Sequence, residues 1–492
     1  MTDHVAVRRV TLSRHERSVP ERIAESVLSG AGRGSDPEEF GRWLTGLGRH
    51  MYTRAGRVPL DELAGWRVDR TTGNVAHRSG KFFTVEGLEV HMPQAKVPRW
   101  DQPIINQPEV GILGILVKNF DGVLHCLMQA KAEPGNCNGL QLSPTVQATR
   151  SNYTRVHSGK SVPYLDFFRT SAPHRVLVDV RQSEQGSWFY RKRNRNMVIE
   201  TTDEVPLEDG FCWLTLGEVH RLLAVDNLVN VDARTVLSCL PFAGAAAGTA
   251  YGPPRDAFHA ALIASLGTER SALHTDGQIL SWITDIRTRT DVHARRIPLN
   301  RLRGWRHADG RIAHESGLFF DVIGVDVTAG GREVGHWMQP MIEPVGQGLL
   351  AFVVKNVDGV LHVLVQARAE PGLVDVVELA PTVQCTLANY QRLPGSAWPR
   401  FLPEVLGAEP DQIRFDTILS EEGGRFYHAR NRYLVVEAKP GFRGEHPDFR
   451  WLTLHQLAGL LRHSYYLNIQ ARSLVACLHS LCAEAAPAGP AG

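Results

Sequence analysis

Two stretches decide how this chain is read: LVKNFDGVLHCLMQAKAEPGN, from Leu116 to Asn136, and VVKNVDGVLHVLVQARAEPGL, from Val353 to Leu373. Val353 stands 237 residues after Leu116 (353 minus 116). The same offset lays SPTVQATRSNY (143–153) on APTVQCTLANY (380–390), and SEQGSWFYRKRNRN from Ser183 on SEEGGRFYHARNRY from Ser420. Three blocks in one register make the chain an internal duplication. With slips of a residue or two, Gly65-Trp66 meets Gly304-Trp305, WLTL at Trp213 meets WLTL at Trp451, and NVDARTVLSCL at Asn230 meets NIQARSLVACL at Asn468.

The duplication sets the expected organisation. Residues 1–35 read as an N-terminal extension, 36–241 as a first repeat domain, 242–276 as a linker with a short helix, 277–482 as a second repeat domain and 483–492 as a flexible tail. A length of 492 residues agrees, since single cores stop growing near ~250 to 300 residues. In each copy a β-branched run breaks at Asp-Gly and resumes, the pattern of strand, tight turn and strand. FFTVEGLEVHM, RVLVDVRQS and NMVIETT also read as strands, whereas EEFGRWLTGLGRHM and WLTLGEVHRLLAV have helical spacing, with Thr215 a candidate cap. Each copy is therefore expected to be α+β, a mostly antiparallel single sheet flanked by helices.

Charge and composition narrow the function. Lys plus Arg number 54 against 52 Asp plus Glu, so no overall field draws the chain to nucleic acid or an anionic membrane. The basic run Arg191-Lys192-Arg193 is diluted to His428-Ala429-Arg430 in the second copy. No apolar run approaches the ~18 residues that span a bilayer, and the polar start has no signal core, so the expected location is cytoplasmic. Seven scattered cysteines without a CxxC pair read as buried thiols. No GxGxxG, Walker loop, HExxH or GxSxG is present. His125 and His362 sit alone among apolar neighbours, which predicts structural histidines and no metal site.

The shared blocks hold the polar candidates. Gln129, Lys131 and Glu133 alternate on one strand face, as do Gln366, Arg368 and Glu370. Two readings fit: a solvated face with a weak ion pair, or an anion cradle beside a carboxylate. The run from Thr145 to Tyr153 packs hydroxyls, amides, Arg150 and a phenol into a few residues. Such a set suits a sugar diphosphate, although Thr145 or Thr149 could merely cap a helix. Its second-copy counterpart, Thr382 to Tyr390, has Leu387 in place of Arg150. Trp66 and Trp305 could stack on a nucleobase or lie in the core. Asp375 and Glu378 stand where the first copy has Asn138 and Gln141, so these carboxylates occur once per chain and hint at one chemical site, unless they only hold a turn.

Taken together, the tandem KN-DGVLH, QA-AEPG, PTVQ-T--NY and SE-G--FY motifs resemble those of the NDP-hexose 2,3-dehydratase family over almost the whole chain. The resemblance implies a homodimeric hydro-lyase of deoxysugar and antibiotic biosynthesis, with two Nudix-like domains per subunit. Its substrate would be dTDP-4-keto-6-deoxy-glucose, its product a dTDP-3,4-diketo-2,6-dideoxy-glucose passed to a 3-ketoreductase. No Nudix box occurs in either copy, so the expected fold is Nudix-like without the box and no cofactor or metal is expected. Carried onto this sequence, the substrate-binding positions are Trp66, Thr149, Arg150, Ser151, Asn152, Tyr153, Ser187 and Trp188 in the first copy. In the second they are Trp305, Arg368, Glu370, Thr382, Val383, Gln384, Cys385 and Thr386. Arg150 and Arg368 would face diphosphates; Glu370 or Glu378 is the expected base and Tyr390 or Tyr153 the expected donor. A non-catalytic nucleotide-sugar binding protein and a Nudix-type hydrolase are the alternatives.

Overall fold

The computed structural model describes residues 17–30, 37–149, 162–169, 174–267, 271–332, 334–390 and 398–483. Each copy builds a seven-stranded mixed sheet. In the first, Arg175–Ser183, Arg193–Thr201, Gly111–Phe120, Val123–Ala132 and Phe211–Thr215 lie side by side, with Leu140–Pro144 on Val123–Ala132 and Val146–Ala148 on Gly111–Phe120. Only the Arg193–Thr201 and Gly111–Phe120 pair runs parallel. The second copy repeats the order with Ile413–Ser420, Arg430–Glu437, Gly348–Val357, Val360–Ala369, Phe449–Thr453, Val377–Ala380 and Val383–Thr386. The Asp-Gly turns sit where the sequence places them. Asp121 and Gly122 have φ of 51° and 90°, Asp358 and Gly359 49° and 85°, and Asn119 and Asn356 accept the glycine N–H at 2.8 and 2.9 Å.

A single sheet per copy was expected; two are found, and the extra pair is interleaved. Tyr52–Val58 of the first copy joins Phe320–Gly330 of the second, and His293–Ile297 of the second joins Thr84–His91 of the first. Short strands of mixed polarity, such as HARRI, carry no period-2 signal that names their partner, so the exchange was invisible in sequence. The helix Val19–Leu28, inside the expected extension, buries Ile23, Ala24 and Val27 in the main core. Its Ser26 hydroxyl donates to the Leu124 carbonyl and accepts from the Leu216 N–H. In the expected linker, Ser265 of the helix Ala257–Ser265 does the same with Leu361 and Leu454. Each copy thus opens with a helix upstream of the boundary drawn from the motifs. Thr215 caps Leu216–Leu223 in a capping box with Glu218 as expected.

The same main core runs through both copies. There the helices Val231–Ser238 and Ile469–Ser480 pack together and bury Arg234 and Arg472 completely. Both guanidinium groups are spent on carbonyls and hydroxyls, which is how a buried arginine is tolerated. No described helix is long and apolar enough to cross a membrane.

Candidate active site

Two constellations, related by the duplication, lie where the copies meet. In both, a loop after the long hairpin of one copy docks on the SE-G loop of the other. Gly372 donates to the Gly186 carbonyl at 2.8 Å and Arg191 to that of Gly372 at 2.7 Å; Gly135 donates to Gly423 at 2.7 Å and His428 to Gly135 at 3.0 Å. The approach leaves no room for a side chain: a Cβ on Gly135 would lie 1.8 Å from the Phe426 carbonyl oxygen, and one on Gly372 1.9 Å from that of Phe189.

The second seam gathers Arg368, Glu370, Glu378 and Gln384. Arg368 and Glu378 are register partners on neighbouring strands, Val360–Ala369 and Val377–Ala380. Glu370 Oε1 accepts from Gln384 Nε2 at 2.9 Å and from Arg368 Nε at 3.2 Å. Gln384 is itself fixed by Asn468, the N-cap of Ile469–Ser480, at 2.9 Å. Glu378 Oε2 accepts the Ser183 hydroxyl at 2.5 Å, across the seam. Glu370 Oε2 and Glu378 Oε1 are buried without a hydrogen-bond partner. Burial pushes the Glu378 carboxyl up to about 7, against the opposing pull of Ser183 and Arg472. Arg368 remains 30% exposed above the buried carboxylate of Glu370, so a cation stands at the mouth and an acid behind it.

At the first seam Lys131 lies 3.6 Å from Glu133, and Gln147 donates to the same oxygen at 3.0 Å. Facing them, Glu422 Oε1 accepts the Gly424 N–H at 3.1 Å, while Arg425 donates to the Gly424 carbonyl at 2.7 Å and to Gln107 at 3.2 Å. Burial, then the nearby Glu133, raises Glu422 to about 7. Burial lowers Lys192 to about 8 despite Glu184. The aligned residues of Glu422 and Arg425 are Gln185 and Trp188, so this seam holds charges that the other lacks.

Other expected site residues fall in several places. Arg150, Ser151, Asn152 and Tyr153 lie outside the described residues. Thr149 is partly buried just beyond the strand Val146–Ala148. Trp66 and Trp305 are 6% and 8% exposed in a core shared by both copies, and their N–H groups donate to the carbonyls of Met338 and Asp101 at 2.7 Å. Phe83 and His77 pack on the first ring, Phe320 and His314 on the second. Both indoles are therefore buried, without the open faces that base stacking needs. Thr382 is no ligand-facing hydroxyl: it is 1% exposed, donates to the Leu364 carbonyl and accepts from Val353, because it closes the sheet below the hairpin. Thr145 does the same with Leu127 and Leu116, so it is not a helix cap. Val383 is core, and burial raises the Cys385 thiol to about 11. Ser187 uses its carbonyl on Gln102, and Trp188 meets Phe426 edge-on at 4.5 Å. Thr386 and Tyr390 are partly buried, on the strand Val383–Thr386 and the helical turn Leu387–Tyr390. Asp375 belongs to an ion pair with Arg287 at 2.7 Å and leaves Glu378 as the unpaired acid of the two. His125 and His362 bond their own strand carbonyls, Val123 and Val360, at 3.0 Å. Among the described residues no group of three or more His, Cys, Asp or Glu is placed to hold a metal ion.

Comparison with known proteins bears on what this arrangement does. The family model described as NDP-hexose 2,3-dehydratase matches residues 37–240 and again 276–478, once per copy. The chain belongs to the NDP-hexose 2,3-dehydratase family. Three relatives share the name dTDP-4-dehydro-6-deoxy-alpha-D-glucopyranose 2,3-dehydratase. That of Saccharopolyspora spinosa is 53% identical over 94% of this chain and 95% of its own. That of Amycolatopsis orientalis is 47% identical over 96% of each. That of Streptomyces violaceoruber is 49% identical over 91% of this chain and 98% of its own. The present dehydratase is thus an enzyme of the hydro-lyase class.

Sequence reasoning missed Ser183 and Arg472, because Ser183 sits in the other copy's motif and Arg472 on a distant helix of the same copy, and both come near Glu378 only through the fold. It also missed Glu422 and Lys192. Glu422 was legible: it is the acidic partner of Gln185 in the aligned SE-G blocks, the same kind of once-per-chain carboxylate as Glu378.

Proposed function

We propose that this dehydratase acts on dTDP-4-keto-6-deoxy-glucose, taking the C3 proton and expelling the C2 hydroxyl, with Glu378 of the second seam as the base. The C4 ketone acidifies C3; loss of that proton places the charge on the C4 oxygen as an enolate, and re-formation of the ketone breaks the C2–O bond. The departing hydroxide takes a proton and leaves as water. The enol that remains tautomerises to a dTDP-3,4-diketo-2,6-dideoxy sugar, so water is lost without any change of electron count. A base works best with a pKa near the working pH; Glu378 and Glu422 are both once-per-chain carboxylates raised to about 7 with one oxygen unpartnered, and the observation that favours Glu378 is its place opposite the partly exposed Arg368, with its other oxygen held by Ser183.

Arg368, held over Glu370, receives the diphosphate, where a guanidinium can make two charge-assisted bonds. Glu370 is the second candidate base, and Tyr390, in the helical turn that follows the strand carrying Gln384, is the candidate donor to the C4 oxyanion; Tyr153 is its counterpart in the first copy. A homodimer, consumption of the unstable diketone by a 3-ketoreductase and a Nudix-like character of the two sheet domains complete this reading. The test follows the sugar by NMR in D₂O with EDTA-treated protein. Loss of the C3 proton, with a 2-deoxy sugar trapped when a 3-ketoreductase and NADPH are present, is expected. A bound but unchanged sugar would make the chain a nucleotide-sugar binding protein, and release of dTMP would make it a hydrolase.

A further inference from the structure

We propose that Ser183, supplied by the first copy, is a positioning residue that holds Glu378 of the second copy in the orientation from which it removes the proton. The inference rests on the assignment of Glu378 as base. Ser183 and Glu378 are each 1% exposed, and the serine hydroxyl donates to Oε2 at 2.5 Å. Ser183 is itself pinned: its carbonyl accepts Arg472 Nη2 at 2.5 Å, and the rest of that guanidinium is fixed on Thr235 Oγ1 and the Leu467 carbonyl, both at 2.6 Å. With Oε2 occupied, the oxygen left to accept a proton is Oε1. The charged and polar groups that bear on Glu378 are Ser183, Arg472, Glu370 and Arg287, from one strand, two helices and a loop; of these only Glu370 disfavours the carboxylate.

The first seam contains the same device with the chemistry removed. Ser420 donates to Gln141 Oε1 at 2.9 Å, and Arg234 donates to the Ser420 carbonyl at 2.8 Å. If the serine served packing alone, it would serve it equally in both places. A positioning role exists only where the acceptor titrates.

The experiment compares Ser183→Ala, Ser420→Ala, Ser183→Thr and Glu378→Gln in the full-length protein, with kcat, KM and the pH dependence of kcat read for each. Removing a hydrogen bond to a carboxylate favours its protonated form, so in Ser183→Ala the acidic limb of the profile moves up by about one pH unit and kcat at neutral pH falls about fivefold with KM little changed. Ser420→Ala keeps the wild-type limb, and Ser183→Thr, which retains a hydroxyl, restores it. An unmoved limb in Ser183→Ala, or equal shifts in the two alanine variants, overturns the inference. An active Glu378→Gln overturns the assignment of the base instead, so the two failures are told apart.

Discussion

The two seams share a backbone and differ in where their charge is kept. The second is sparse: one cation at the mouth, Glu370 tied to Gln384 and Arg368, and Glu378 behind, touched by one hydroxyl. The first is dense, with Glu133, Glu422, Lys131 and Lys192 acting on one another and on Asp232 and Glu184. A dense buried network can satisfy itself, since each ion has a counter-ion near it. Both seams nevertheless hold a carboxylate raised to about 7 with one buried oxygen unpartnered, Glu378 in the second and Glu422 in the first, but only Glu378 has its other oxygen fixed by a side chain of the opposite copy. On the proposed reading, that difference in how the acid is held, rather than the number of charges, favours the second seam for the chemistry.

The largest effect expected breaks the comparison if it is absent. Glu378→Gln gives the second seam the amide that the first has in Gln141, and turnover should fall at least 100-fold, the range of a lost general base. Glu422→Gln should keep turnover within a few-fold. The reverse ranking, read as water loss from the dTDP-sugar, would move the chemistry to the first seam.

A second prediction tests whether the seams are built alike. Alanine at Gly372 or Gly135 puts a methyl group into a carbonyl oxygen of the opposite copy, and neither contact can relax without parting the loops. Each variant should lose about 3 kcal/mol of stability in chemical denaturation, the upper range for overpacking. Equal losses make the docking symmetric; a loss in one alone shows that a single seam holds the copies together.

Much of this was legible before the fold. The 237-residue offset, the two Asp-Gly turns and the strands around them follow from local chemistry that the sequence carries openly. Glu378 stood out as an acid where its counterpart is Gln141. The exchanged strands did not, because Tyr52–Val58 and His293–Ile297 find their partners through tertiary packing. The tryptophans misled for a related reason: an indole after a glycine reads the same whether it faces solvent or, as for Trp66 and Trp305, the shared core. Ser183 was out of reach, since nothing local links a serine at the end of one strand to a glutamate 195 residues on.

The pH dependence of stability sharpens the comparison further. The native state holds the Glu378 proton up to about 7, above the ordinary 4.5, so between those values it binds more protons than the unfolded chain. Its contribution is present in full below pH 4.5 and is lost as pH rises through 7. In Glu378→Gln that loss disappears. The variant should match wild type at low pH and exceed it above pH 8 by on the order of 2–3 kcal/mol in urea unfolding. A protein made steadier and inactive by one substitution marks a residue kept for chemistry at the expense of stability. Gln141→Glu should do the opposite, lowering stability at high pH without creating activity.

The smallest effect concerns the cations at the two mouths. Arg368 and Lys131 are register counterparts, yet a guanidinium grips a diphosphate through two donors at once whereas an ammonium acts as a point charge. If the substrate's phosphates rest at the second seam, Arg368→Ala should raise KM about tenfold with kcat nearly unchanged, because the contact is made equally in ground and transition states. Lys131→Ala should leave KM within about twofold, since Lys131 is paired with Glu133 and its loss is absorbed by Gln147 on the same oxygen. Arg368→Lys separates charge from geometry: a KM close to that of Arg368→Ala shows that the fork binds, and a KM close to wild type shows that charge alone suffices. Equal sensitivity at both mouths would mean that the seams bind the nucleotide sugar alike, and that only the acid behind each mouth distinguishes them.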